Sequence, residues 1–432
     1  MKATWEKIEK NVGVLSIEVE VEKVTEALDK AFKKVSPKVN VPGFRKGKVP
    51  RSIFEAKYGV ESLYQEALDF ILPQAYTEAV DETGIEPVDR PKIDIEQFAK
   101  GQELKFKAEV VVKPEVILGK YTGLEVKDTE PVVTDEELEL ELTRLQQRHA
   151  ELVVIEDSPA MMKDHVSIDF EGFIEDEAFE GGTSENYSLE LGTNSFIQGF
   201  EEQIVGMNLS EQKDIHVTFP ETYQKEELQN KPARFNVKLN TIKRKNLPEL
   251  DDEFAKDVSE FDTLEEYKQD IKEKLLLKKN NELAHTVENS LVEQVTAHAD
   301  VEIPEPMIHS EIDIMFKDFE SRLRSQGMTL DMYFGFTSQN EDALKAQMHP
   351  DAEKRVRNRL VLEAIALAEN LTASEEEVEA ELIELANHYQ RSVEELRSIF
   401  TTNGNIDNMK ADIILKKTIA HLKTHSTKVA QE

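Results

Sequence analysis

The period of the hydrophobic pattern changes along this chain, and that change limits the fold more than any other feature. Residues 13–22 and 104–112 alternate between apolar and polar side chains, which is typical of half-buried strands. Between residues 164 and 243, short alternating runs are separated by glycines, as in compact β-rich domains. After Pro248 the apolar residues recur at helical spacing. The sequence therefore predicts a multidomain α+β protein.

The first 112 residues predict a small α+β domain. One face of the run at 13–22 is wholly apolar and consists of Leu15, Ile17, Val19 and Val21. A helical segment follows at about 25–34, and Pro50 is well placed as the first residue of a short helix that closes at Gly59. Residues 60–82 are also predicted to be helical.

Hydroxyl residues followed three positions later by glutamate mark the starts of several later helices. Such capping boxes satisfy free N–H groups in the first helical turn. The pairs are Thr134/Glu137, Thr263/Glu266, Ser374/Glu377 and Ser392/Glu395. The first of these predicted helices reaches about Leu152, and the second reaches about His298.

The net charge of the 432-residue chain is −34, and most of it lies after residue 112. Residues 1–112 hold 18 Lys and Arg against 20 Asp and Glu, whereas the rest of the chain holds 35 against 67. A chain this acidic is not expected to bind DNA or nucleic acid in general. The nearly neutral N-terminal part, in contrast, can approach a phosphate-rich surface.

The sequence lacks the patterns on which most cofactor chemistry depends. It has no cysteine, so disulfides, thiolate metal sites and cysteine nucleophiles are excluded. Its ten histidines show no metal-ligand spacing, and no Walker loop occurs. We therefore expect no cofactor, no metal and no ATP-driven mechanism. No signal peptide is recognisable, and no stretch approaches the roughly 20 apolar residues of a membrane span, so we expect a cytoplasmic protein without a membrane partner.

A basic segment stands out from the acidic background. Residues 31–57 contain eight Lys and Arg and a single acid. Two glycines permit a tight turn with Phe44, Arg45 and Lys46 at its tip. An aromatic ring beside two cations suits a surface that combines phosphates with an apolar pocket. On the residues alone, a solvated loop with Phe44 folded back into the domain remains an alternative.

The segment Gly-Phe-Arg-Lys-Gly-Lys-Val-Pro at 43–50 resembles the ribosome-docking motif of the trigger factors, and the order of the regions resembles that family along the whole chain. The resemblance implies a ribosome-associated chaperone that binds nascent and unfolded polypeptides at the tunnel exit. It also implies that Phe44, Arg45 and Lys46 contact large-subunit protein and rRNA there. Whether the free protein forms a homodimer off the ribosome is left open by the sequence.

The β-rich middle region resembles the FKBP-type peptidyl-prolyl isomerases, in the form inserted in trigger factors. Short segments carry this resemblance, and they lie at 166–172, 178–182, 189–192, 196–201, 219–223 and 233–237. The resemblance implies that an aromatic pocket for the substrate proline is lined by Phe170, Phe179, Ile197, Phe200, Tyr223 and Phe235. Without the resemblance, these aromatic residues would be interpreted as ordinary core.

Three positions depart from the pattern of the family. Phe200 lies where many FKBP proteins carry Trp, and Gln198 lies where trigger factors often carry Pro. Ser210 replaces the usual Gly of the turn after Met207. We expect these differences to alter rate or sequence preference and to leave the fold intact.

The sequence thus predicts four parts. They are a ribosome-binding domain at 1–112, a connector at 113–152 that packs on the C-terminal body, an FKBP-type isomerase domain with a short helix at 153–246, and an all-helical chaperone body with arms at 247–432. The main hypothesis is a ribosome-bound chaperone whose isomerase activity is secondary. The alternatives are a free peptidyl-prolyl isomerase with helical substrate-docking arms, and a structural ribosome-assembly factor.

Methionines in the helical body suit a promiscuous binding surface, because their side chains adapt to many partners. They are Met307, Met315, Met328, Met332 and Met348. Methionine is also ordinary core filler, and the sequence does not show which of these residues face clients.

Overall fold

The structure, a computed structural model, describes residues 1–40, 42, 44–45, 47–175, 177–193, 195–223, 225 and 228–430. It contains two compact units: one combines Met1–Thr129 with the chain from His285 onward, and the other is Glu130–Ala284. The strands are β1 (Lys2–Glu9), β2 (Val12–Val19), β3 (Lys92–Gln97), β4 (Leu104–Val111), β5 (Glu125–Asp128), β6 (Glu151–Val154), β7 (His165–Ile174), β8 (Glu177–Glu190), β9 (Gln212–Thr218), β10 (Pro232–Asn246) and β11 (Thr427–Ala430).

Helices dominate the C-terminal half of the chain, and the multidomain α+β prediction is confirmed. The helices are α1 (Val21–Val35), α2 (Arg51–Tyr58), α3 (Tyr64–Thr83), α4 (Asp135–Arg148), α5 (Phe200–Ile204), α6 (Asp252–Val258), α7 (Leu264–His298), α8 (Glu305–Ser325), α9 (Leu330–Thr337), α10 (Glu341–Ala368), α11 (Glu375–Tyr389), α12 (Val393–Thr402) and α13 (Asn405–Thr424). Among the described residues, no helix combines the length and the apolar character needed to cross a membrane.

A four-stranded antiparallel sheet organises the N-terminal part of the first unit. Its strand order is β1-β2-β4-β3. The alternation predicted for the two central strands is confirmed, because Leu15, Ile17 and Phe106 are all buried on one face. Leu28 from α1 and Ala67 from α3 join the same core. The helices therefore cover one face of the sheet, and the other face stays open to solvent.

Two details of this sheet differ from the prediction. The predicted first strand extends to residue 22, whereas β2 ends at Val19 and α1 already begins at Val21. Val21 is 36% exposed and does not join the core. The edge strands β1 and β3 were not predicted, since most of their side chains are exposed and show no buried face. Pairing with β2 and β4 defines these strands.

The rest of the first unit is built from helices and one pair of short strands. Leu124 and Val126 lie in one core with apolar residues from the end of α7, from α10 and from α13. A separate core around Leu382 joins α11, α12 and α13. Strand β11 pairs in parallel with β5, so the described end of the chain returns to the segment that follows the N-terminal sheet.

The second unit contains a helical part and an antiparallel sheet. Helices α4, α6 and the start of α7 share a core. The predicted capping box of Thr134 and Glu137 is confirmed, with both reciprocal hydrogen bonds present. Helix α4 ends at Arg148, however, and not near Leu152, because residues 151–154 pair with β10 as strand β6.

The sheet of the second unit carries the candidate site. Its order is β6-β10-β7-β8, and β9 pairs with the free half of β10. Strand β10 contacts three strands along its length, which places it at the centre. Inward-facing residues of these strands form one core with Phe200 and Ile204 of the short helix α5.

Candidate functional site

An aromatic cavity of about 310 Å³ opens beside the sheet of the second unit. Its wall includes five of the six residues that the sequence assigned to a proline pocket, which are Phe170, Phe179, Ile197, Tyr223 and Phe235. None of the described residues that line the cavity carries a charge. The cavity can therefore enclose an apolar ring, but the described part of its wall offers no carboxylate or ammonium group for acid–base chemistry.

Two adjacent strands supply the floor of the cavity. Phe170 of β7 lies opposite Val237 of β10, and Phe235 is two residues earlier on the same strand. Because alternate residues of a strand face the same side, both rings point into the cavity. Their centroids are 6.0 Å apart in an edge-to-face arrangement. Such ring pairs are favourable beyond their burial and hold both rings in a defined orientation.

Glycines make room for the ring of Phe179, which comes from β8. A Cβ added at Gly172 or at Gly182 would lie 2.7 Å from atoms of that ring, which is too close for any side chain. The ring can therefore lie edge-on to Phe219 and Phe235, with centroids 5.8 and 5.9 Å away. Close approach of a ring to the backbone is one reason for glycine within a strand.

Phe200, the sixth predicted residue, does not line the cavity. It is fully buried beneath the wall, at 0% exposure. Its ring stacks on Phe196 at 4.3 Å and lies edge-to-face with Phe235 at 5.4 Å. Phe200 therefore supports the pocket from below and is not part of its described wall.

Several wall residues were missed as site residues by the sequence analysis, although they lie in or beside the segments it identified. They are Gly181, Ser195, Phe196, Gln198, Phe219 and Pro220. Phe196 and Phe219 belong to the same short segments as predicted residues, and this proximity is the signal that would have found them. The direction in which a side chain points in an irregular loop cannot be deduced from the sequence pattern, because loops have no hydrophobic periodicity.

The rim of the cavity is formed by a turn from Phe219 to Tyr223. The Tyr223 backbone N–H donates to the Pro220 carbonyl at 3.1 Å. The Gln229 side chain donates to the Tyr223 carbonyl at 2.8 Å. The Tyr223 ring lies 4.7 Å from Phe219. The turn thus holds a half-buried tyrosine at the entrance.

The basic segment of the N-terminal domain forms an exposed turn between α1 and α2. Phe44 is 37% exposed and Arg45 is also exposed, whereas Lys46 lies outside the described residues. The Lys48 backbone N–H donates to the Arg45 carbonyl at 2.9 Å, and Gly47 adopts a φ of +80°. A left-handed residue of this kind favours glycine. The described part of the turn therefore presents the aromatic ring and the guanidinium to solvent.

The structure changes the interpretation of two details around this turn. Pro50 is the N-cap of α2 and not its first residue, since the helix begins at Arg51. Arg51 pairs with Asp29 and with Glu55, so it serves the domain itself. Lys34 likewise pairs with an acid. Arg45 and Lys48 remain exposed candidates for an external partner.

Family models match successive parts of the chain. The model of the bacterial trigger factor protein matches residues 1–145, that of FKBP-type peptidyl-prolyl cis-trans isomerase matches 156–240, and that of the trigger factor C-terminus matches 263–424. A trigger factor of Halalkalibacterium halodurans is 56% identical over 431 residues, which cover 100% of each chain. The chain belongs to the trigger factor family.

Other comparisons agree with this membership. A trigger factor of Shouchella clausii is 56% identical over 433 residues and is covered in full. A solved structure from work on promiscuous substrate recognition by the trigger factor chaperone is 23% identical, with a TM-score of 0.50 over 98% of this chain and 99% of that one. That likeness shows the shared fold. This protein is a ribosome-associated chaperone with an FKBP-type peptidyl-prolyl isomerase domain.

The structure gives a physical meaning to the positions at which this trigger factor departs from the family pattern. Gln198 lies in the cavity wall, where it can alter substrate preference. Ser210 adopts a φ of +64°, and its backbone N–H donates to the Leu239 carbonyl at 2.7 Å. Glycine is usual at such a turn because only glycine adopts a left-handed conformation without strain.

A buried ion pair ties together the strand ends of the isomerase domain of this trigger factor. Asp164 is 1% exposed and accepts hydrogen bonds from the Arg244 guanidinium at 2.7 and 2.8 Å and from the Met161 N–H at 2.8 Å. Burial raises the pKa of the Asp164 carboxyl, but these hydrogen bonds outweigh it, and the pKa lies below its ordinary value. The ionised form is therefore the one that stabilises the fold.

Asp164→Asn should destabilise this domain and remove part of its acid sensitivity. Because the folded pKa is lowered, the stabilisation is present above the unfolded pKa of about 3.9 and is lost as the pH falls through the folded pKa. We expect a loss of about 2 kcal/mol at pH 7, less than for a fully buried pair because solvent reaches Arg244. Amide exchange of β7, measured by mass spectrometry, reports this loss. Exposed Asp157→Asn is the matched control, and equal exchange in both variants would contradict the prediction.

Proposed function

We propose that this protein docks at the ribosomal exit tunnel through Phe44, Arg45 and Lys46, holds emerging polypeptides on its helical surfaces, and isomerises X-Pro bonds in the aromatic cavity. The observation that carries the proposal is an aromatic cavity whose described lining residues carry no charge, on a chain that also presents an exposed basic turn. Holding is the main activity and isomerisation the secondary one. Since ribosomes are its docking partner, we place the protein in the cytoplasm.

Docking requires a surface that matches both rRNA and protein. The guanidinium of Arg45 can bond to two phosphate oxygens at once, and a partly exposed ring such as Phe44 can enter an apolar pocket. The first 112 residues are nearly neutral in charge, so they are not repelled from rRNA as strongly as the acidic remainder. Residues 1–112 are therefore the docking domain in this proposal.

Isomerisation of an X-Pro bond needs no acid, base or nucleophile. Amide resonance sets a barrier of about 18–20 kcal/mol, and uncatalysed exchange takes tens to hundreds of seconds. The planar amide is the more charge-separated form, so an apolar wall disfavours it relative to the twisted form. Phe170, Phe179 and Phe235 supply that wall, and Tyr223 closes it at the entrance. Proline held between them is shielded from water during rotation.

Client holding needs apolar surface that the fold does not use itself. Helix α9 has no buried residue, although its sequence is largely apolar. Phe336 is 78% exposed and Met332 is 49% exposed. Of the other methionines singled out in the sequence, Met307 and Met315 pack against core clusters of α8 and α10. Helix α9 is therefore our candidate client surface.

Met332→Ser with Phe336→Ser should weaken holding without destabilising the fold, because neither side chain is buried. We expect about fivefold more protein to be needed to suppress aggregation of a diluted, denatured client, since the variant offers less apolar surface. Light scattering measures the effect. Leu140→Ser, at a residue that is 71% exposed on α4, is the control. If the control loses as much activity as the double variant, holding does not depend on α9.

Photo-crosslinking tests the proposal as a whole. A crosslinking amino acid placed at Phe336 should capture a nascent chain on stalled ribosomes, and the same group at Leu140 should not. If neither position captures the chain while peptide isomerase activity is intact, the free isomerase becomes the better description. The near-complete aromatic pocket is the observation that favours that alternative.

A further inference from the structure

A buried carboxylate lies next to the cavity wall and plays no part in the mechanism described above. Glu201 of α5 is only 3% exposed, whereas the next residue, Glu202, is exposed. Ionised side chains are rarely buried unless other groups satisfy them. The position of this carboxylate therefore depends on what its oxygens bind.

Both oxygens of Glu201 accept hydrogen bonds from a single loop at 192–196, of which the structure describes residues 192–193 and 195–196. The Gly192 N–H donates to Oε2 at 2.7 Å, and the Phe196 N–H donates to Oε1 at 3.1 Å. The Ser195 hydroxyl also donates to Oε1, at 3.4 Å. Hydrogen bonds to an ionised acceptor are about twice as strong as neutral ones. One side chain thus holds this loop near both of its ends.

The same loop carries a wall of the cavity. Phe196 lines the cavity, and its ring stacks on Phe200 at 4.3 Å with an angle of 24° between the ring planes. It also lies edge-to-face with Phe170 at 5.4 Å. Glu201 therefore holds the backbone of Phe196, while the neighbouring Phe200 supports the ring of Phe196 from below.

We propose that Glu201 is a positioning residue for the isomerase site: its buried carboxylate fixes the loop at 192–196 and thereby holds Phe196 as a wall of the proline pocket. This inference rests on the function proposed for the cavity. Glu201 does not line the cavity, so it acts through Phe196 and not on the substrate.

Glu201→Gln is the decisive variant. A glutamine offers one acceptor oxygen, so its amide group would face one of the two backbone N–H donors without bonding to it. We expect kcat/KM for a proline peptide to fall at least about tenfold, mainly through KM, because a displaced wall binds proline less well. Glu202→Gln removes the same charge from the same helix and should stay within about twofold of wild type. Equal activity of the two variants would overturn the proposal.

A double-mutant cycle separates positioning from general stability. Phe196→Leu removes the wall directly, so adding Glu201→Gln should cost little more if Glu201 acts through that ring. Independent, additive losses would show that Glu201 only stabilises the domain, and the proposal would fail.

Amide exchange in the wild-type protein provides a readout that needs neither catalysis nor a variant. The Gly192 and Phe196 amides should be protected as strongly as β7, although the loop lies at the surface. If these two amides exchange at the rate of an open loop, Glu201 does not anchor the loop and the proposal fails. This test uses wild-type protein, so it also applies if Glu201→Gln does not fold.

A wild-type protein without isomerase activity would instead refute the function proposed for the cavity. The exchange rates would then still show whether Glu201 anchors the loop.

Discussion

Ribosome binding should fall by about a hundredfold when Phe44, Arg45 and Lys46 are replaced together by alanine. In the proposed docking mode, the variant lacks two cations that would bond to phosphate and one ring that would enter an apolar pocket, and a few such anchoring residues carry most of the binding energy of an interface. The measurement is co-sedimentation with ribosomes across a salt series. Wild-type binding should weaken as salt rises, and the variant should show a smaller salt dependence, by about one unit of slope for each phosphate that it no longer binds.

The control for this experiment removes equal charge elsewhere in the same domain. Lys92 and Lys107 lie on the sheet, where each pairs with a glutamate. Replacing both with alanine changes the net charge as much as the triple variant does, but leaves the turn intact. If this control and the triple variant lose binding equally, general charge and not the turn mediates docking. If neither loses binding, the turn is a solvated loop and the chain docks elsewhere or not at all.

Isomerase activity should fall by about a hundredfold in Tyr223→Ala while client holding stays close to that of wild type. The half-buried ring closes the cavity entrance against Phe219, so its removal admits water and leaves the substrate proline poorly placed. A proline-limited refolding assay measures isomerisation, and aggregation of a denatured client without proline dependence measures holding. Tyr223→Phe retains the ring and separates packing from the hydroxyl group.

Phe200→Ala is the less useful variant for this purpose, because Phe200 is fully buried. Truncating a buried phenylalanine costs about 3–5 kcal/mol, so reduced activity would reflect a damaged domain. Phe173→Ala is a better control, since this ring lies on the opposite face of β7 and contacts Arg234 outside the aromatic cavity. If Tyr223→Ala also abolishes rescue of aggregating clients, isomerisation and not holding is the main activity.

The sequence predicted those helices and strands that bury one face in a core and expose the other to solvent, or that begin with a capping box. The strands β2 and β4 and the capped helices α4 and α7 were found because burial on one face, or satisfaction of free N–H groups, selects residues in a regular pattern. The strands β1, β3 and β6 were missed because their side chains are mostly exposed. Only the hydrogen bonds of a neighbouring strand define such elements.

The candidate sites show the same limit. The aromatic residues of the pocket and the tip of the basic turn follow from residue type, spacing and family resemblance, so the sequence by itself determined which side chains were candidates. Only the tertiary structure decided that Phe196 forms the wall and Phe200 lies beneath it, and that the Glu201 carboxylate faces inward to a loop. The physical reason is that the direction in which each of these side chains points depends on how α5 and the loop before it pack on β7 and β10. That packing brings together residues that are distant in the chain.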